Sequence, residues 1–105
     1  MSCLLDAPGW EISAAVRARQ VSATEVAKDA LERVRADSFG AVWLVTEERA
    51  LREAAAIDAA LARGGAPDER LLLGVPVGWK DLIDTGGDRT TYGSALYRDH
   101  VPARD

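Results

Sequence analysis

A single cysteine, Cys3, and a single methionine are all the sulfur this 105-residue chain carries. No internal disulfide can close, and no thiolate zinc cluster can be assembled. Aromatic side chains are few, at 6%. Apolar runs stop after a handful of residues, far short of the ~20 that span a bilayer, so no membrane contact is expected. Residues 1–10 lack a basic start followed by an apolar core, which argues against a secretion signal and makes the cytoplasm the expected compartment. Positive charge is in deficit, with a net charge of −4 and no basic stripe, so direct binding of nucleic acid is not expected either. Lysine is the scarcest cation. Of thirteen cationic side chains only Lys28 and Lys80 are lysines.

What is present suits a globular protein, 48% hydrophobic and 29% charged. A chain of this length can form one domain, burying roughly 65% of its unfolded surface. The first half reads as helices, spanning residues 11–63. In Glu11 to Arg19, Ile12, Ala15 and Val16 share a face. Ser22 opens a Ser-x-x-Glu capping box with Glu25. Behind it Val26, Ala27, Ala30, Leu31 and Val34 keep helical spacing, while Lys28, Asp29, Glu32, Arg33 and Arg35 fall on the opposite face. That helix should end before Phe39-Gly40. Thr46 is the expected N-cap of a third helix, with Glu47 and Glu48 at its positive end. In it Ala50, Ala54, Ile57 and Leu61 recur in step, and Gly64-Gly65 stops it before a loop at Ala66-Pro67-Asp68.

Two segments read as strands. Ala41-Val42-Trp43-Leu44-Val45 is short and β-prone. The run from Leu71 to Trp79 shows no solvent face by alternation, which suits a strand covered on both sides, although Pro76 cannot donate to a ladder. A strand and following loop are thus expected over residues 71–105. Two strands do not make an independently stable sheet, so the chain looks like the opening section of a larger α/β domain.

At the end of the second segment stand Lys80 and Asp81. Arginine stays charged in any protein setting, whereas a desolvated lysine can lose its proton and act as a base. A chain that otherwise chooses arginine has placed an amine where a buried strand would surface, and strand ends are where open α/β sheets place ligands. The plainer alternative is a lysine reaching water. Other candidates carry less. Ser94, in Tyr92-Gly93-Ser94-Ala95-Leu96, does not match the Gly-x-Ser-x-Gly elbow. His100 sits in a polar stretch where an exposed imidazole is the simpler reading. Asp81, Asp84 and Asp88 lack calcium-loop spacing, and Gly86-Gly87 lacks the lysine and hydroxyl of a phosphate loop.

Taken together, Gly74-Val75-Pro76-Val77-Gly78-Trp79-Lys80-Asp81, Asp84-Thr85-Gly86-Gly87, Thr90-Thr91-Tyr92-Gly93-Ser94 and Asp99-His100-Val101-Pro102-Ala103-Arg104-Asp105 resemble the amidase signature family. Ser22 to Val26 and Glu47 to Gly64 extend the resemblance upstream. It implies an α/β fold, a mixed sheet covered by helices, of which this chain holds the N-terminal helices and first strands. It also implies hydrolysis of a small amide through a serine, a second serine beside a cis peptide bond, and a lysine. Lys80 matches that lysine; Asp81, Thr91, Gly93 and Ser94 match motifs assigned to its support. Neither a cofactor nor a metal is implied. A homodimer, or the subunits of a tRNA-dependent amidotransferase, are the partners the resemblance allows. Trp79 stands where the family more often has a small or aliphatic residue, and Leu82 where asparagine is common. The glycine- and serine-rich segment that carries both serines and the oxyanion hole has no equivalent up to Asp105, so the 105-residue chain alone is expected to be inactive. A third reading is a non-catalytic interaction module that has kept an amidase front end.

Overall fold

A computed structural model describes residues 3–65 and 70–105; the loop expected at Ala66-Pro67-Asp68 lies outside them. The helical half forms as its periodicity dictates. Helix α1 spans Gly9–Arg17, α2 Ala23–Ala36 and α3 Glu47–Ala62, with single 3-10 turns at Leu4–Asp6 and Ala95–Tyr97. Helix α2 packs along α3, and the first turn rests on α2. The core is small: Ile12 and Val16 from α1, Ala23 and Val26 from α2, and Ala54 from α3, ringed by half-buried Leu4, Val21, Ile57, Leu61 and Val75. Most of these are residues whose spacing marks an inward face. The charged face of α2, from Lys28 to Arg35, is exposed as expected.

The start of α2 is secured twice. Ser22 accepts a hydrogen bond from the Glu25 N–H at 3.0 Å, satisfying one of the orphan amides of a helix terminus. Asp58, reaching over from α3, takes the two amides before it: the Ala23 N–H at 2.7 Å and the Thr24 N–H at 3.0 Å, together with the Thr24 hydroxyl at 2.6 Å. Burial pushes the Asp58 carboxyl up, but the bonds from Thr24 and Ala23 outweigh it and leave it below its ordinary value near 3.8. Asp58→Ala is expected to cost about 0.5–2 kcal/mol at neutral pH, the range for losing a cap. Because the folded-state value is the lower one, this contribution is complete above pH 3.8 and fades as the pH falls through the folded value. Urea midpoints of the two proteins should therefore converge in acid; an unchanged midpoint at pH 7 would refute the cap. Thr46, by contrast, sits at the start of α3 without a side-chain capping bond.

The two expected strands do not form. Among the described residues there is no strand at all. Ala41 to Val45 is unpaired, and most of it is exposed. Arg70 to Gly74 turns instead of extending: the Leu73 N–H donates to the Arg70 carbonyl at 3.1 Å and the Val75 N–H to the Leu72 carbonyl at 3.0 Å. Gly74 adopts φ +79°, open to glycine and costly to other residues. Val75 to Lys80 then runs on without a ladder. The reason is the one that limits any short sheet, since backbone donors and acceptors need neighbours. At 46 × 33 × 20 Å the molecule is about two helix diameters thick in its thinnest direction. Among the described residues no layer covers an apolar strand, and Leu71, Leu72, Val77, Trp79, Leu82 and Ile83 are all exposed.

Candidate functional site

Lys80 lies at the end of this unpaired segment, exposed, and its amine has no partner among the described residues. The buried setting expected for it is absent, for the same reason the strand is absent. The segment after Lys80 is held more firmly. The Asp81 carboxylate accepts the Thr91 N–H at 2.7 Å on one oxygen and the Thr91 hydroxyl on the other. The Thr91 Oγ1 in turn accepts the Gly93 N–H at 3.3 Å. The Thr91 hydroxyl bond holds the Asp81 carboxyl below the usual carboxylate range; desolvation opposes it, and the Thr91 and Gly93 amides and the Trp43 indole add to it. Three of the residues matched to lysine support, Asp81, Thr91 and Gly93, are thus one hydrogen-bonded unit.

Gly93 carries φ +70°, and Tyr92 before it also has positive φ, so the backbone doubles back tightly. Ser94 closes this turn: its N–H donates to the Thr91 carbonyl at 2.9 Å, and its hydroxyl accepts the Leu96 N–H at 3.3 Å, capping the second 3-10 turn. Its hydroxyl serves local structure. Beside the unit lies an open groove of about 380 Å³ lined by Trp43, Asp81, Arg89, Thr91, Ser94 and Arg98 among others. The Arg89 guanidinium stands over the Trp43 ring, 5.0 Å from its centroid, a cation–π geometry.

The remaining candidates are occupied elsewhere. Tyr92 donates its hydroxyl to Asp84, which raises the phenol from its ordinary value. Its ring meets Tyr97 edge-on at 5.2 Å and His100 at 5.8 Å. His100 is therefore half-buried in an aromatic cluster, not exposed. Asp88 pairs with Arg49 of α3 at 2.8 Å, and the same guanidinium donates to the Gly86 carbonyl at 2.7 Å. The final residues fold back on this turn through Gly87 N–H to Pro102 carbonyl at 3.0 Å, Thr90 N–H to His100 carbonyl at 2.9 Å, and Gly86 N–H to the Asp105 carboxylate at 2.8 Å. Thr90 is buried at their centre. Asp81, Asp84 and Asp88 thus serve three different partners, and no group of three acids, histidines or cysteines among the described residues could hold a metal. No helix among them is long and apolar enough to cross a membrane.

Sequence patterns give little sign of Arg49, Arg89, Arg98 and Asp58. Each is a lone polar residue whose meaning depends on what the fold sets opposite it. Asp58 alone carries a signal, being an acid on the inward side of α3 next to Ile57.

A family model described as amidase matches residues 23–105. Among curated proteins, the glutamyl-tRNA(Gln) amidotransferase A subunit of Carboxydothermus hydrogenoformans is 38% identical, over 90% of this chain and 20% of that protein. The same subunit of Acidothermus cellulolyticus is 39% identical over 100% of this chain and 21% of its own length. That of Paenarthrobacter aurescens is 44% identical over 82% and 17%. The chain spans about a fifth of the length of the curated relatives it matches. No solved structure matches it.

Proposed function

The chain belongs to the amidase family, and from this we propose that Lys80 is the proton-accepting base for hydrolysis of an amide C–N bond. The observation behind this reading is the linkage of Asp81, next to Lys80, to Thr91 and Gly93 of the Thr-Thr-x-Gly-Ser segment. In the scheme, the neutral amine of Lys80 takes a proton through a bridging serine held beside a cis peptide bond. A second serine then attacks the amide carbonyl, its oxygen forming the acyl bond as the C–N bond breaks and the amine leaves protonated. Water releases the acid and restores the serine. In this scheme the 105 residues supply the base alone, and no amide hydrolysis is expected of them by themselves. Thr91, Gly93 and Ser94 shape the ground on which the lysine stands. A neutral amine near pH 7 requires burial, and the exposed Val77, Trp79 and Leu82 around Lys80 are the surface that the rest of the domain would cover.

The relatives favour a narrower second reading. All three are the A subunit of a glutamyl-tRNA(Gln) amidotransferase. On that reading the amide is glutamine and the released ammonia passes to a second site, with partner subunits present. Ammonia release by the intact enzyme separates the two. Hydrolysis of simple amides by the enzyme alone supports the first reading; release from glutamine that rises with copurifying subunits supports the second. A reading frame past Asp105 without a glycine- and serine-rich segment would overturn both.

A further inference from the structure

Asp81 poses a difficulty for a lysine base. A carboxylate on the adjacent residue favours the protonated amine, and the protonated amine cannot accept a proton. The structure shows where that carboxylate is engaged. Thr91 holds one oxygen through its N–H and the other through its hydroxyl, with the Gly93 amide and the Trp43 indole also turned to the carboxylate, and no ion pair joins it to Lys80 among the described residues. The other charged and titratable groups nearby do not take it up either. Arg89 and Arg98 line the same groove but donate to the Arg98 and Ala95 carbonyls, and the Tyr92 phenol donates to Asp84.

We propose that Thr91 is a positioning residue that keeps Asp81 turned away from Lys80, leaving the lysine free to lose its proton. The proposal rests on Lys80 being the base. Thr91 acts through Asp81 and touches neither substrate nor amine. Its hydroxyl is the specific element, since the backbone N–H survives any substitution at residue 91 except proline and satisfies only one carboxylate oxygen.

The test is the pH dependence of kcat/KM for amide hydrolysis by the intact enzyme. Thr91→Val removes the hydroxyl bond that contributes most to holding Asp81 and leaves the carboxylate freer to turn toward the amine. The acidic limb of the profile should then move about one unit to higher pH, the low end of the effect of an opposite charge at close range. Thr91→Ser keeps the hydroxyl and should leave the limb in place. Asp81→Asn carries no charge to turn; it should also leave the limb in place, alone or combined with Thr91→Val. A Thr91→Val enzyme that loses activity equally at every pH would overturn the proposal. So would an Asp81→Asn limb displaced a full unit downward, because the carboxylate would already be acting on the amine in the wild type. That second result decides the matter even if Thr91→Val fails to fold. A wild-type limb that survives Lys80→Ala refutes the base assignment itself, and this inference with it; an unmoved limb in Thr91→Val refutes only this inference.

Discussion

Lys80→Ala in the intact enzyme is expected to lower kcat for amide hydrolysis by at least about 10²–10⁴-fold, the range for removing a positioned base. KM should change little, since in the proposed role the amine accepts a proton and does not bind substrate. In the 105-residue chain Lys80 is exposed and its amine has no partner among the described residues, so there the urea midpoint of the variant should match the wild type. Lys80→Arg is the informative companion. It preserves positive charge and approximate length but stays protonated, so it should be as inactive as alanine. If arginine restored turnover, the residue would be acting through its charge and not as a base. Near wild-type turnover in Lys80→Ala would remove it from the chemistry altogether.

The largest stability loss is expected at Gly74, where Gly74→Ala should cost about 2–5 kcal/mol, the sum of a backbone and a packing cost. The residue has φ +79°, which charges a side chain about 1–2 kcal/mol. A methyl group there would also sit 2.9 Å from Val16 Cγ1 and 3.0 Å from Cγ2, inside van der Waals contact. Val16 is fully buried and β-branched, so it has little freedom to yield, and overpacking of this kind costs about 1–3 kcal/mol. Gly64→Ala separates the two costs, because Gly64 also has φ +79° but nothing within 4 Å of its Cβ position. It should lose only the backbone share. Gly78→Ala, with open space and no positive φ, should be close to neutral. Equal losses at Gly64 and Gly74, read from denaturation midpoints, would show that Val16 gives way.

Where the pattern of the chain is local, it can be read from sequence. The buried faces of the helices and the Ser22 cap depend on residues three or four apart and appear where spacing puts them, although the first helix runs Gly9–Arg17 instead of Glu11 to Arg19 and Thr46 makes no side-chain capping bond. Strand composition misleads because a strand is a property of its neighbours. Ala41 to Val45 and Leu71 to Trp79 have the right composition and no partner to pair with. In the second segment Gly74 also favours the turn that replaces its first half. The same divide runs through the site. Asp81, Thr91 and Gly93 stand out by motif resemblance, but their joining through two oxygens of one carboxylate is not visible in the order of residues. Arg49 is hidden for a simpler reason, being an arginine on a helix that carries several other charges.

The turn that Arg49 grips also bears on the order in which the chain assembles. The bonds that close residues 81–105 on themselves link positions no more than 19 apart, whereas the Arg49 bond to Gly86 spans 37 residues and the Asp58 cap on Ala23 spans 35. Short loops close at low entropic cost and on fast timescales. The Asp81–Thr91 unit can therefore gather its own turns early, while α3 captures it later as a finished piece. A lesion at Arg49 would then release the turn at Gly86 and Asp88 from α3 while leaving the bonds within residues 81–105 in place.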